Sequence, residues 1–176
     1  KKLSIKLKHH KLIRIGYFSA NFHEHAVSHL LVRTLELHNK DKFKVFAYSF
    51  SKERCDQYTE RIISASDYYR DVNNLSDLDV AKLVVSDEID IAVDLMGYSD
   101  NNRHGIFAYK PAPIQVSYLG FPCTTGSKVI DYIIADKNLI PNHQKKYYSE
   151  KVIYMPNNYQ CNDDTITISK TKFKLT

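Results

Sequence analysis

The run Ser19-Ala20-Asn21-Phe22-His23-Glu24-His25-Ala26-Val27-Ser28-His29 holds the first residues of this chain whose types and spacing could do chemistry. His25 and His29 stand four apart, on one face of a helix, a spacing that metal-binding histidines use. The zinc motif of that spacing needs Glu directly after the first histidine; here Ala26 holds the position and Glu24 precedes it. No nearby Cys or carboxylate completes a three-ligand set, so no metal is expected. Asn21, followed three residues later by Glu24, has the form of a capping box in which the Asn side chain takes an orphan helix N–H. That explains Asn21 and leaves His25. A histidine in the first turn of a helix feels the positive end of the dipole, which favours a neutral imidazole able to accept or donate a proton at a reacting hydroxyl.

A second chemical segment runs from Tyr98 to Gly126, where Gly-Tyr and Leu-Gly turns flank a rigid Pro-Ala-Pro corner. It follows an apolar strand, Ile89 to Met96, that ends at Gly97, the kind of strand end where a ligand crevice opens near a topological switch of an α/β sheet. Gly120 would let backbone approach a ligand closely, or would simply make a tight turn. Arg103 could line the crevice or pair with Asp94. Pro111 and Pro113 fix the chain direction into the next strand.

Positioning these residues takes an alternation of strands and helices. Strands are expected at Leu12 to Ser19, Phe43 to Phe50, Tyr68 to Val72, Ile89 to Met96, Ile114 to Leu119, Val129 to Ala135 and Lys151 to Met155. Helices are expected at His25 to His38, Asp56 to Ala65, Ser76 to Asp87 and around Arg103 to Tyr109, the third opened by an N-cap Ser with Asp three positions on. The pattern predicts an α/β fold with a doubly wound, mostly parallel Rossmann-like sheet and helices on both faces. The polar turn sequence Asn157 to Asp164 and the Lys-rich Thr165 to Thr176 read either as a chain cut between two lobes or as a frayed terminus.

Composition narrows the class of protein. The 176 residues are 43% hydrophobic and 26% charged, which suits one folded domain. No apolar run approaches the roughly 20 residues of a membrane helix, and Lys1 to Lys11 lacks the hydrophobic region of a signal peptide, so a cytoplasmic protein without membrane contact is expected. Cys55, Cys123 and Cys161 are far apart and odd in number, and read as reduced thiols. The net charge of +5 is concentrated at Lys1 to Lys11 and Lys170 to Lys174, as solvated tails rather than a nucleic-acid grip, because no RNA-binding aromatic signature accompanies it.

The motifs RIGYFSANF, HAVSHLL, FKVFAYS, DIAVDLMGY, NRHGIFAYKPAPIQVSYLGFPCTTG, DYIIAD and YSEKVIYMP, in this order, resemble the first lobe of the catalytic region of the O-linked N-acetylglucosamine transferase and SPINDLY-like family. The resemblance runs from about Arg14 to Gln160. It implies residues 1–13 as a basic leader, 14–160 as the N-terminal lobe of a two-lobe glycosyltransferase, and 161–176 as a linker or the start of an interlobe segment. The activity implied is inverting, metal-independent transfer of N-acetylglucosamine from a UDP-sugar to Ser or Thr of intracellular proteins, with no cofactor. Relatives that move fucose or glucose keep the donor open. Partners implied are acceptor proteins, the nucleotide-sugar donor and a second catalytic lobe, with tetratricopeptide repeats usually upstream. Half an enzyme would be inactive alone.

By motif, the resemblance makes His25 the proton-handling residue and places Asn21 beside it, where the family more often has Asp. Val27 stands where the family has a Thr that approaches the sugar. Leu119 and Gly120 match the turn on the sugar side; Tyr98, Ser99 and Arg103 match the loop bordering the acceptor. The departures at Asn21 and Ala26-Val27 keep a non-catalytic binding module as the alternative.

Overall fold

Alternation of apolar residues on two-sided strands builds the core. The computed structural model describes residues 3–5, 10–51 and 55–168. The order is β1 (Ile13–Ser19), α1 (Ala26–Glu36), β2 (Phe43–Ser49), α2 (Gln57–Ala65), β3 (Tyr68–Asp71), α3 (Asp77–Ser86), β4 (Ile91–Asp94), α4 (Gly105–Ala108), β5 (Ile114–Ser117), β6 (Tyr132–Ala135) and β7 (Lys151–Tyr154), with a 3-10 turn at Asn142–Tyr147 before β7. Ile15 and Tyr17 of β1, Val45 and Ala47 of β2 and Val93 of β4 pack against α1 and α2 through Leu31, Val32, Leu35 and Ile62. The intervening residues Phe18, Phe46, Tyr48 and Ala92 pack against α3 and α4 through Val80, Val84, Ile106 and Phe107. Helices on both faces bury most of the central strands, which therefore read as nearly continuous apolar runs, while the edge strands β3 and β7 keep exposed residues.

The seven strands form one sheet in the order β3-β2-β1-β4-β5-β6-β7, each neighbouring pair parallel. The chain winds outward from β1 to β3, crosses back to β4 beside β1, and winds the other way. The order therefore reverses between β1 and β4, and the loops leaving their C-terminal ends flank the switch point. The doubly wound expectation holds.

Several elements are shorter than their patterns predict. The Ile89 to Met96 run pairs only over Ile91–Asp94, because the Asp94 carboxylate accepts the N–H of Met96 and of Gly97 and turns the chain. The Ile114 to Leu119 run stops at Ser117 before Leu119, whose φ is +67°. The Val129 to Ala135 run pairs only from Tyr132, since the Val129 carbonyl takes Lys110 Nζ and Gln115 Nε2 instead. Helix α1 starts one residue late, with His25 extended at φ −153°. Ser76 caps α3 through the Asp79 N–H as expected.

The chain after β7 is docked rather than frayed over Asn157 to Thr165. Tyr159 and Cys161 pack against the α1–α2 core, and Arg61 binds Asp163 at 2.6 Å while Arg33 binds Asp164 at 2.7 Å. The basic residues Lys170 to Lys174 lie outside the described residues. Cys55, Cys123 and Cys161 are free thiols. Among the described residues no helix is long and apolar enough to cross a membrane.

Candidate active site

Two loops meet at the switch point, and a methionine sulfur joins them. Ser19 Oγ and the Ala20 N–H, at the end of β1, each donate to Met96 Sδ at 3.4 Å, and Asn21 Nδ2 approaches the same sulfur at 3.5 Å. Sulfur is a weak acceptor, so three donors fix it more by shape than by strength. Asn21 does not cap α1, contrary to the capping-box expectation: its amide is turned back to Met96, its carbonyl accepts Ser28 Oγ at 2.5 Å, and the Glu24 N–H goes to Asp56 Oδ2 at 2.5 Å.

The cap is His25 itself. Its Nδ1 accepts the Val27 N–H at 3.1 Å, closing the first turn of α1. An Nδ1 that accepts carries no proton, so neutral His25 bears its hydrogen on Nε2. Burial, reinforced by His23 and His29, lowers its pKa below the usual histidine value and keeps the ring neutral near pH 7. The His23 ring lies 5.8 Å from that of His25. His29 is turned elsewhere, 2.5 Å from Glu24 Oε1 and stacked on Tyr58 at 4.4 Å.

On the far side of the switch, β5 ends in a three-residue turn closed by the Gly120 N–H on the Tyr118 carbonyl at 2.9 Å, with Leu119 at its centre. A positive φ at leucine in such a γ-turn is strained and persists only where packing holds it. Leu119 and Val27 are both buried in the α1–α2 core. A Cβ on Gly120 would collide with the Leu95 carbonyl oxygen and would stand 3.6 Å from Val27. Gly120 is thus required by the approach of β4 to β5, and Val27 supports it from beneath.

The β4 loop forms the third wall. Gly97, at φ +52°, leaves room for the Phe121 ring, and Tyr98, half exposed, packs on Phe121 at 5.9 Å and on His104 at 5.1 Å. Ser99 returns both its N–H and its hydroxyl to the Met96 carbonyl, at 3.0 and 2.7 Å. Arg103 does not pair with Asp94. Its guanidinium binds Asp77 at 2.7 Å and the carbonyls of Val72 and Leu75 at 2.9 and 2.6 Å. Asp94 faces His104 instead, at 3.6 Å.

Between these loops lies a cavity of about 330 Å³ lined by Ala20, Asn21, His23, Phe50, Asn73, Asn101, Asn102 and Arg103. Its wall is rich in carboxamides, and its guanidinium is already committed to Asp77. Such a surface matches hydroxyls and amides better than a diphosphate, which needs uncommitted cations or helix N–H groups. Of the expected site residues, Asn21 and Arg103 line this cavity; His25 stands on the same loop as Asn21, Tyr98 and Ser99 on the same loop as Arg103, Leu119 and Gly120 follow β5, and Val27 lies 3.6 Å from where a Cβ on Gly120 would stand. Met96, Phe121, Asn73, Asn101 and Asn102 were not anticipated. The asparagines had a signal in their turn-forming composition; Met96 had none.

A family model described as "Glycosyl transferase family 41" matches residues 2–176. The probable UDP-N-acetylglucosamine–peptide N-acetylglucosaminyltransferase SEC of Arabidopsis thaliana is 40% identical over 153 residues, covering 87% of this chain and 16% of that protein. The UDP-N-acetylglucosamine–peptide N-acetylglucosaminyltransferase of Caenorhabditis elegans is 33% identical over 152 residues, 86% of this chain and 13% of that one. A solved structure of a mutant Thermobaculum terrenum O-GlcNAc transferase superposes with a TM-score of 0.82 at 36% identity, covering 86% of this chain and 29% of that chain. The chain thus spans less than a third of each of these relatives.

Proposed function

The chain belongs to glycosyl transferase family 41, and from that premise we propose that it is the N-terminal half of an inverting, metal-independent glycosyltransferase acting in the cytoplasm. It moves N-acetylglucosamine from a UDP-sugar to Ser or Thr of proteins. The observation that carries this reading is the meeting of His25, the strained Leu119-Gly120 turn and the Gly97-Tyr98 turn at one topological switch. Residues 14–160 form the lobe, and 161–176 begin the segment leading to a second lobe.

Each residue has a role its chemistry allows. Because Nδ1 of His25 is spent on the Val27 N–H, the ring offers Nε2–H, a donor that holds a reacting oxygen in place. The Leu119-Gly120 turn presents backbone to the sugar, with Val27 packed beneath it. Tyr98 and Ser99 border the acceptor, and Arg103 ties their loop to α3 through Asp77. Asn21, an amide, cannot serve as a base and braces the two loops through Met96. Charge on the departing diphosphate must be met from outside this neutral cavity, by the second lobe.

The test compares residues 1–176 with the full-length protein, using a labelled UDP-N-acetylglucosamine and a Ser/Thr-rich acceptor. The fragment should transfer nothing and the full chain should transfer sugar. In the full chain, His25→Asn, which can still cap α1, should lower kcat about 100-fold. Robust turnover by the fragment would overturn the half-enzyme reading.

A second reading, a binding module derived from the family without its chemistry, is favoured by the amide at Asn21 and by Ala26-Val27. Sugar transfer by the wild-type full chain, lost in His25→Asn, rules it out. Transfer that appears only with Asn21→Asp supports it.

A further inference from the structure

Among the described residues, the buried side-chain polar atoms left without a hydrogen-bonding partner are Asp94 Oδ2, both ring nitrogens of His104, Gln115 Oε1 and Ser117 Oγ. They belong to one neighbourhood. Asp94 is paired in register with Ser117 across β4 and β5, Gln115 lies two residues earlier on the same face, and His104 Nδ1 stands 3.6 Å from Asp94 Oδ2. Asp94 is 2% exposed and Ser117 1%. A buried carboxylate oxygen is stabilised by a donor, and the one facing Asp94 Oδ2 is His104 Nδ1, a small side-chain shift away from hydrogen-bonding distance.

The two ends of the pair grip the same turn. Asp94 Oδ1 accepts the N–H of Met96 at 2.9 Å and of Gly97 at 3.2 Å. The His104 ring lies against Tyr98 at 5.1 Å and Phe107 at 6.1 Å. Carboxylate and imidazole thus hold the backbone and the ring of Gly97-Tyr98 respectively. His104 occupies the N-cap position of α4 without making a cap bond, which leaves its nitrogens uncommitted. Arg103, next in sequence, cannot answer Asp94, because its guanidinium is committed to Asp77, Val72 and Leu75.

We propose that Asp94 and His104 are a positioning pair for the acceptor wall: a small closure of the 3.6 Å gap makes an Nδ1–H···Oδ2 hydrogen bond that locks the Gly97-Tyr98 turn, and with it the Tyr98 ring, against a bound polypeptide. The inference rests on the reading of Tyr98 as facing the acceptor. Neither residue touches the reacting atoms. Their effect belongs in acceptor affinity rather than in the chemical step, because the locked turn meets ground state and transition state alike.

The experiment uses the full-length protein with His104→Phe, which keeps a ring beside Tyr98 and removes the donor, and His104→Asn, which keeps a donor. His104→Phe should raise the acceptor KM about tenfold, the loss of one hydrogen bond to a charged group, with kcat and donor KM changed less than about twofold. His104→Asn should recover most of the loss. Hydrogen exchange of the segment 95–100 should accelerate in His104→Phe and return towards wild type in His104→Asn, with α1 unaffected in both. An unchanged acceptor KM in His104→Phe, or an equal rise in donor and acceptor KM, overturns the proposal. If the wild-type protein transfers no sugar, the glycosyltransferase reading falls, and the exchange rates alone decide the pair: equal exchange in all three proteins rejects it.

Discussion

His25 combines two jobs in one ring, and they separate by pH. Its pKa is lowered in the folded chain by burial and by His23 and His29, and that of His38 by burial and Lys40. A depressed pKa means that the unfolded state takes up protons first. Stability is full above the ordinary value of 6.5 and falls as pH drops through the folded value. Replacing His25 with Asn keeps an N-cap acceptor and removes one titrating group, so the fall in Tm between about pH 7 and pH 5 should be shallower than in wild type. An equally steep fall would show that His25 takes no part in it. Gly120 makes a second test at this scale. Gly120→Ala drives a methyl into the Leu95 carbonyl, a backbone atom that cannot move aside, and should cost about 3 kcal/mol. Gly126→Ala, with open space around it and only its φ of +62° to strain, should cost about 1 kcal/mol. Urea denaturation of the two variants gives the comparison. His25 and the Leu-Gly turn stood out in the sequence as candidates, through residue type, position at a helix start and the family resemblance. That His25 rather than Asn21 caps α1 was not legible there, because the contact that diverts Asn21 comes from Met96, 75 residues away.

Helix starts carry the chain's local specification, and their caps differ in reach. Ser76 caps α3 through its own turn alone, accepting the Asp79 N–H at 3.2 Å. Asp56 caps α2 through Tyr58 and Thr59 at 2.9 and 3.0 Å, and its second oxygen takes the Glu24 N–H of the β1–α1 loop. Ser76→Ala should therefore cost about 1 kcal/mol, and Asp56→Ala about 2 kcal/mol, with faster hydrogen exchange at Glu24 only in the second. Equal costs with no change at Glu24 would reduce Asp56 to a local cap. The central strands β1, β2 and β4 were legible as elements because both their faces are largely buried and their sequences are mostly apolar. Strand ends were not: β4 stops where a side chain of its own, Asp94, captures the N–H groups of Met96 and Gly97, and β5 stops just before Leu119, which takes a positive φ.

At the scale of the molecule, Arg61 of α2 and Arg33 of α1 tie the departing chain to the helix pair, of which α1 is capped by His25. Arg61 bridges Glu36 at 2.8 Å and Asp163 at 2.6 Å, and it holds both carboxylates below the usual range, Asp163 strongly so. A depressed carboxylate contributes stability that is present above its unfolded pKa and lost as pH falls through the folded value. Arg61→Met leaves the buried Asp163 without its cation. It should cost about 2 kcal/mol at pH 7 and flatten the acid loss below about pH 4. Unaltered acid unfolding would place the Asp163 shift elsewhere. The sequence alone determined the α/β alternation, the parallel sheet, the family resemblance and which segments were candidates for chemistry, since periodicity and turns are local and act through neighbours in the chain. Only the tertiary structure decided that Arg103 answers Asp77 and not Asp94, that Asp94 meets His104, that Val27 lies close to Gly120, and that Asn157 to Thr165 is docked. Each of those choices is made between residues distant in sequence, where a charge or a buried methyl takes whichever partner the crossing strands bring within reach.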